Sequence, residues 1–328
     1  MNIKNICKKR IINKANIKTP LIVPSFSSKG FEDIAEIHDY VKEFITEASL
    51  VSAYDLYYDN IPKQGQDIYI SDILFIDSGG FERDQDTELS ELYPTTYISS
   101  EWNKDIHSEV IQKIEGYTQI VIVNFDSKER KTIEKQITEA SELFDVHPNF
   151  ISDFLCKPEE VNQDYINVNK IIMQINNLSH FSILGFTEKE LGNSVLKRCS
   201  SIYRIRKALY ENNLDVPIHI FGCIDPLNIL AYFLCGADIF DGLSWLRFKF
   251  TNSGEAVYRN SHALSNGDWA SSDNMLRAKT YADNIDILIK LSTKMHRYLN
   301  TYNWDSLDLP SDTLNELQKL VSNVGINY

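Results

Sequence analysis

The chain has 328 residues, 43% of them hydrophobic and 24% charged, with a formal net charge of −13. That length suits one large domain or two ordinary ones, and the composition excludes extended disorder. No apolar stretch approaches the roughly 20 residues of a bilayer-spanning helix, and the acidic balance argues against a general nucleic-acid binder.

In chain order, the opening MNIKNICKKRIINKANIK lacks the apolar core of a signal peptide. Its Lys4, Lys8, Lys9, Arg10, Lys14 and Lys18 have no acid among them, so 1–18 is expected to be a basic arm or a solvated terminus. A cytoplasmic location is expected. Short runs rich in Ile, Val and Phe then recur at 20–25, 48–54, 72–77, 118–125, 149–156, 181–186, 217–222 and 237–241. They predict strands buried on both faces. Helical spacing occupies 31–46, 104–115, 130–144, 160–177, 188–212 and 226–235.

This alternation, in about the ~250 residues usual for the architecture, predicts a (β/α)8 TIM barrel over 19–250 rather than an open doubly wound sheet. Residues 251–328 are expected to form a C-terminal helical extension completing the barrel. Its long helix over 274–300 puts Tyr281, Ile285, Leu288, Met295 and Leu299 on one face, and a last helix over 312–323 follows Pro310 with Ser311 as its cap. The cysteines Cys7, Cys156, Cys199, Cys223 and Cys235 are odd in number and widely separated, which suggests neither a disulfide framework nor a C-x-x-C metal site.

In such a barrel, chemistry belongs where strands end. Asp77 closes the third run, Asp126 follows the fourth, and Asp241 closes the eighth. Singly, each is explained equally well as a helix cap or turn residue. Closing the barrel, however, would gather all three around one mouth. Gly79, Gly80, Gly185, Gly222 and Gly242 lie at the same ends, either as turn formers or to admit a flat ligand. Phe81 and Phe221 would stack on a planar base, Phe221 being alternatively barrel core.

Two segments carry a family resemblance. "FIDSGGFE" (75–82) resembles the Asp-Ser-Gly-Gly-aromatic motif of the tRNA-guanine transglycosylase family, and "IHIFGCIDPLNILAYFLCGADIFDGLSWLR" (218–247) resembles the segment leading through G-x-D-x-F-D to its nucleophile. "KTPLIVPSFSSKG" (18–30) is similar to its opening strand and "VNFDS" (123–127) to its base-recognition segment. The resemblance covers about residues 17 to 250. It implies a TIM barrel in which Asp241 is the nucleophile, Asp77 the general acid/base and Asp126 the reader of the base edge. Phe81 and Phe221 would hold the ring, with Ser78, Gly79, Gly80, Gly185 and Gly222 lining the substrate.

The implied reaction exchanges a guanine in tRNA or, in a related branch, DNA for a 7-deazaguanine such as 7-cyano-7-deazaguanine, 7-aminomethyl-7-deazaguanine or queuine. No cofactor is implied, and no G-x-G-x-x-G or P-loop signature is present. The family's C-x-C-x-x-C zinc motif is missing, so no zinc is expected and DNA is slightly favoured over tRNA. Glu82 stands where the family pattern has Gln, and the strand-5 motif reads "DFLCKP", leaving Asp153 open to base recognition or structural use. Arg247 and Lys249 are the best-placed nucleic-acid contacts, with Arg198, Arg204, Arg206 and Lys207 as further candidates. A protein partner or second copy would supply the remaining surface. Two other classes stay open: a non-catalytic subunit of the same fold, and a barrel hydrolase of free nucleosides.

Overall fold

The computed structural model of the chain describes residues 1–31, 33–62, 68–84 and 97–328. Eight parallel strands form its centre: β1 (Leu21–Pro24), β2 (Ala48–Ser52), β3 (Ile73–Asp77), β4 (Gln119–Val123), β5 (Ile151–Cys156), β6 (Ile183–Thr187), β7 (Ile218–Phe221) and β8 (Ile239–Gly242). Strands β2 to β8 pair in chain order, and β8 returns to pair with β1. A bridge between Ser25 and Leu50 spans the last gap, from β1 to β2. The result is a (β/α)8 barrel with a C-terminal helical extension.

Successive strand residues point to opposite faces, and here both faces are buried. Leu21, Val23, Leu50, Ile73, Phe75, Val121, Val123, Ile151, Leu155, Ile183, Phe221 and Ile239 fill the barrel interior. The alternate residues, among them Ile22, Leu74, Ile76, Ile122, Phe154, Leu184, Ile220 and Phe240, pack outward into the core beneath the helices. This two-fold rhythm decides which polar side chains face inward. Ser25, Asp77, Asp153, Gly185, His219 and Asp241 all share the parity of the interior set.

The connecting helices are α1 (Ile34–Val41), α2 (Ala53–Tyr57), α3 (Lys104–Lys113), α4 (Ile133–Val146), α5 (Val168–Met173), α6 (Val195–Glu211) and α7 (Pro226–Leu234). Several are shorter than their sequence periodicity. The 31–46 stretch, whose residue 32 lies outside the described residues, yields eight α-helical residues followed by a 3-10 turn. The 160–177 stretch becomes helical only at Val168, where the Asn167 side chain accepts from the Lys170 N–H and caps the start.

Beyond β8 come a short helix (Ser244–Arg247), a small antiparallel pair (Lys249–Phe250 with Ala256–Val257), a helix (Arg259–Ser265), α8 (Asp273–Thr301) and α9 (Ser311–Val324). All five apolar residues expected on one face of α8 are buried. Ser311 is the first residue of α9 rather than its cap: Pro310 holds the cap position, and no side chain caps the helix.

Residues 1–18 pack against the barrel and do not extend from it as an arm. Ile3, Ile6, Cys7 and Ile12 are buried, and Ile12 joins the barrel interior. Lys8 pairs with Asp215, Lys14 donates to the Pro148 and Phe150 carbonyls, and Arg10 forms a buried ion pair with Asp238 at 2.7 Å. Asp238 also takes Arg206 and the Ile218 N–H, so the first Asp of G-x-D-x-F-D ties the N-terminal segment to α6 and β7.

Candidate active site

Asp77, the last residue of β3, is only part-exposed. Burial raises its carboxyl from the usual 3.8 to about 6, with the charges of Asp241 and then Asp126 pushing the same way against hydrogen bonds from the Ser78 and Gly79 amides. Asp77 thus lies close enough to both Asp241 and Asp126 to feel their charge. The glycine pair after Asp77 makes this possible. Gly79 is left-handed at φ 78°, and a Cβ there would lie 2.7 Å from the Tyr54 Cβ and 2.8 Å from the Trp102 indole nitrogen. A Cβ on Gly80 would lie 2.7 Å from Asp126 Oδ2. The missing side chains let the Asp126 carboxylate lie against the turn, where Lys157 Nζ approaches it at 3.4 Å.

Asp241, 6% exposed, is held from three sides. Ser25 Oγ donates to its Oδ2 at 2.8 Å, and the Gly222 N–H donates to its Oδ1 at 3.1 Å. His219 Nε2 lies 3.3 Å from the same Oδ1. Behind it, His219 Nδ1 meets Asp153 Oδ2 at 2.7 Å, both side chains being fully buried. Burial opposes a charged imidazole, but the charge of Asp153, its hydrogen bond and the nearby Asp241 outweigh that, pushing His219 up to about 9. Burial likewise raises the Asp153 carboxyl, against the pull of His219. A second acidic group sits behind Asp77: Glu82 is 2% exposed, accepts from Ser27 Oγ, and is held well above the carboxylate range by burial and by Asp55 and Asp77.

The aromatic residues take different surroundings. Phe81 is half-buried with Lys29 Nζ 4.2 Å from its ring centroid. Phe221 belongs to the interior layer, its ring 3.9 Å from that of His219 and tilted by 32°. It leans over Gly185, where an added Cβ would fall 2.4 Å from the Phe221 ring and 2.9 Å from Asp153.

The basic residues expected to meet a nucleic acid have partners within the chain. Lys249 is 6% exposed and pairs with Asp283 at 2.8 Å, because the Lys249–Phe250 strand docks on α8. Arg247 is partly buried, its guanidinium 5.3 Å from the Phe31 ring centroid. Arg206 is buried and donates to Asp238 and to the Gly236 and Val216 carbonyls, Arg198 pairs with Glu188, Arg204 donates to Asn169, and Lys207 faces Glu211. Sequence reasoning missed Ser25 and His219 and left Asp153 open. The signal for all three was strand parity: His219 stands two residues before Phe221, and Asp153 interrupts an apolar run. No family model matches the chain, and no curated protein matches it.

Proposed function

We infer that the chain is a guanine transglycosylase, exchanging a guanine in a nucleic acid, DNA ahead of tRNA, for a 7-deazaguanine base. The observation that carries this reading is the pairing of two carboxyls with different surroundings at one barrel mouth. Asp241 is held by two hydrogen-bond donors with the His219 imidazole 3.3 Å away, while burial and like charge push Asp77 up to about 6. A general acid/base works best with its pKa near the working pH, and a nucleophile works best when pre-oriented. An oxygen of Asp241 bonds to the anomeric carbon as the glycosidic C–N bond breaks, and acidic Asp77 protonates the departing guanine. The incoming base then displaces Asp241 and returns its own N–H proton to Asp77. Asp126 faces the base edge, and neutral Glu82 stands in for the amide of the family pattern, since a protonated carboxyl both donates and accepts.

The target nucleotide must leave its stack to reach this mouth. The net charge of −13 favours a second reading, a hydrolase of free nucleosides. Labelled guanine placed in DNA and in tRNA decides between them. Release that requires 7-cyano-7-deazaguanine and is abolished by Asp241→Ala is the expected result. Release from free nucleosides alone supports the hydrolase, and none from any source supports a non-catalytic subunit.

A further inference from the structure

Asp153, His219 and Asp241 form a line of polar groups across three strands of an otherwise apolar interior. The line runs from β5 through β7 to β8, with separations of 2.7 Å and 3.3 Å. Among the described residues, Asp153 Oδ1 and His219 Nε2 have no hydrogen-bond partner. Burying a histidine and two carboxylates is expensive unless each compensates the other. A barrel needing only a filled interior would use leucine or valine here, as its neighbours do. We propose that His219, anchored by Asp153, is the positioning residue that selects Oδ2 of Asp241 as the attacking atom; this rests on the reading of Asp241 as nucleophile.

The asymmetry of the donors carries the argument. Oδ1 faces the imidazole nitrogen and accepts from the Gly222 backbone N–H, neither of which can rotate away. Among the described residues, Oδ2 accepts only from the Ser25 hydroxyl, which turns freely about its own bond. Charge is therefore drawn toward Oδ1, and the less encumbered Oδ2 faces the anomeric carbon. When the C–O bond forms at Oδ2 and the C–N bond breaks, Oδ1 becomes the ester carbonyl oxygen while keeping both neighbours. In the second half-reaction the same two groups receive the charge that returns as Asp241 departs. Asp153 keeps the ring charged throughout, because its own carboxylate does not react.

The groups facing the ring support a persistent cation. Asp153 from β5 and Asp241 from β8 are the charged ones. Strand β3 adds the Phe75 ring at 5.4 Å, and β6 presents Gly185, which pairs in register with His219. Asp153 and Asp241 outweigh burial and hold the imidazole at about 9, well above its usual 6.5.

Two measurements on the full chain test the assignment, and the first needs no activity. In a 15N-histidine NMR titration, His219 should remain protonated through pH 8, and Asp153→Asn should lower its midpoint by more than one pH unit. A His219 that is neutral at pH 7 in the parent protein overturns the proposal, whichever polymer or nucleoside proves to be the substrate. In base exchange, His219→Gln should lower kcat at least tenfold with KM within twofold, and should remove the alkaline limb of the kcat profile. An unchanged kcat and profile in a folded His219→Gln protein would equally reject it. If the parent protein exchanges no base at all, the transglycosylase reading fails while the titration still decides whether the charged pair exists.

Discussion

Asp77 shows how a single residue is shaped by its surroundings. Because its folded pKa of about 6 lies above the ordinary 3.8, the fold binds the proton more tightly than the unfolded chain does. The stability this provides is fully present below pH 3.8 and is lost as pH rises through about 6. Asn cannot ionise, so Asp77→Asn should exceed the parent in stability by about 2 kcal/mol at pH 8, with the gap closing below pH 4. Urea denaturation at the two pH values reads this directly; equal stability at pH 8 would contradict the burial of an ionised carboxyl. The residue scale is also where the sequence is most readable and most deceptive. Asp77 and Asp241 stand out because an acid ending an apolar run is conspicuous. Lys249 misleads because its partner, Asp283, is remote in sequence and meets it only when the 249–250 strand docks on α8.

At the scale of elements, the eight strands are legible because burial on both faces forces a continuous apolar run, which Ile, Val and Phe satisfy in a pleated chain. Helix ends are less legible. Periodicity continues through the turn before Val168, and only the side-chain cap at Asn167 marks where hydrogen bonding begins. Helix α8 was readable from its apolar stripe, and Met295, fully buried, belongs to that stripe. Met295→Ala should destabilise the fold by about 2–5 kcal/mol through lost burial and a residual cavity. Thermal and chemical unfolding measure it, and a loss below about 1 kcal/mol would mean that α8 is not an integral part of the barrel wall.

For the whole molecule, the N-terminal segment closes the end of the barrel remote from the aspartates. Its basic residues are drawn into structure, with Arg10 and Arg206 sharing Asp238 in a buried cluster. Burial, with Arg10 adding to it, lowers Arg206 to about 9, against the opposing charges of Asp238 and Asp215. Asp238→Ala should destabilise the protein by about 3–5 kcal/mol, since it removes the buried carboxylate that both guanidinium groups share. Retention of parent stability would show that the cluster is relieved by water. This linkage joins segments more than 190 residues apart, which no local pattern could reveal.

In the proposed reaction the mouth at the opposite end is the chemical centre, and capture of the expected covalent intermediate is the most direct test. The protein is incubated separately with DNA and with tRNA, denatured during turnover, and mapped by mass spectrometry of its peptides. A polymer-linked peptide carrying the pentosyl group on Asp241, absent from Asp241→Ala, is the predicted result. An adduct on any other residue, or base exchange in either polymer proceeding without an adduct, would contradict it.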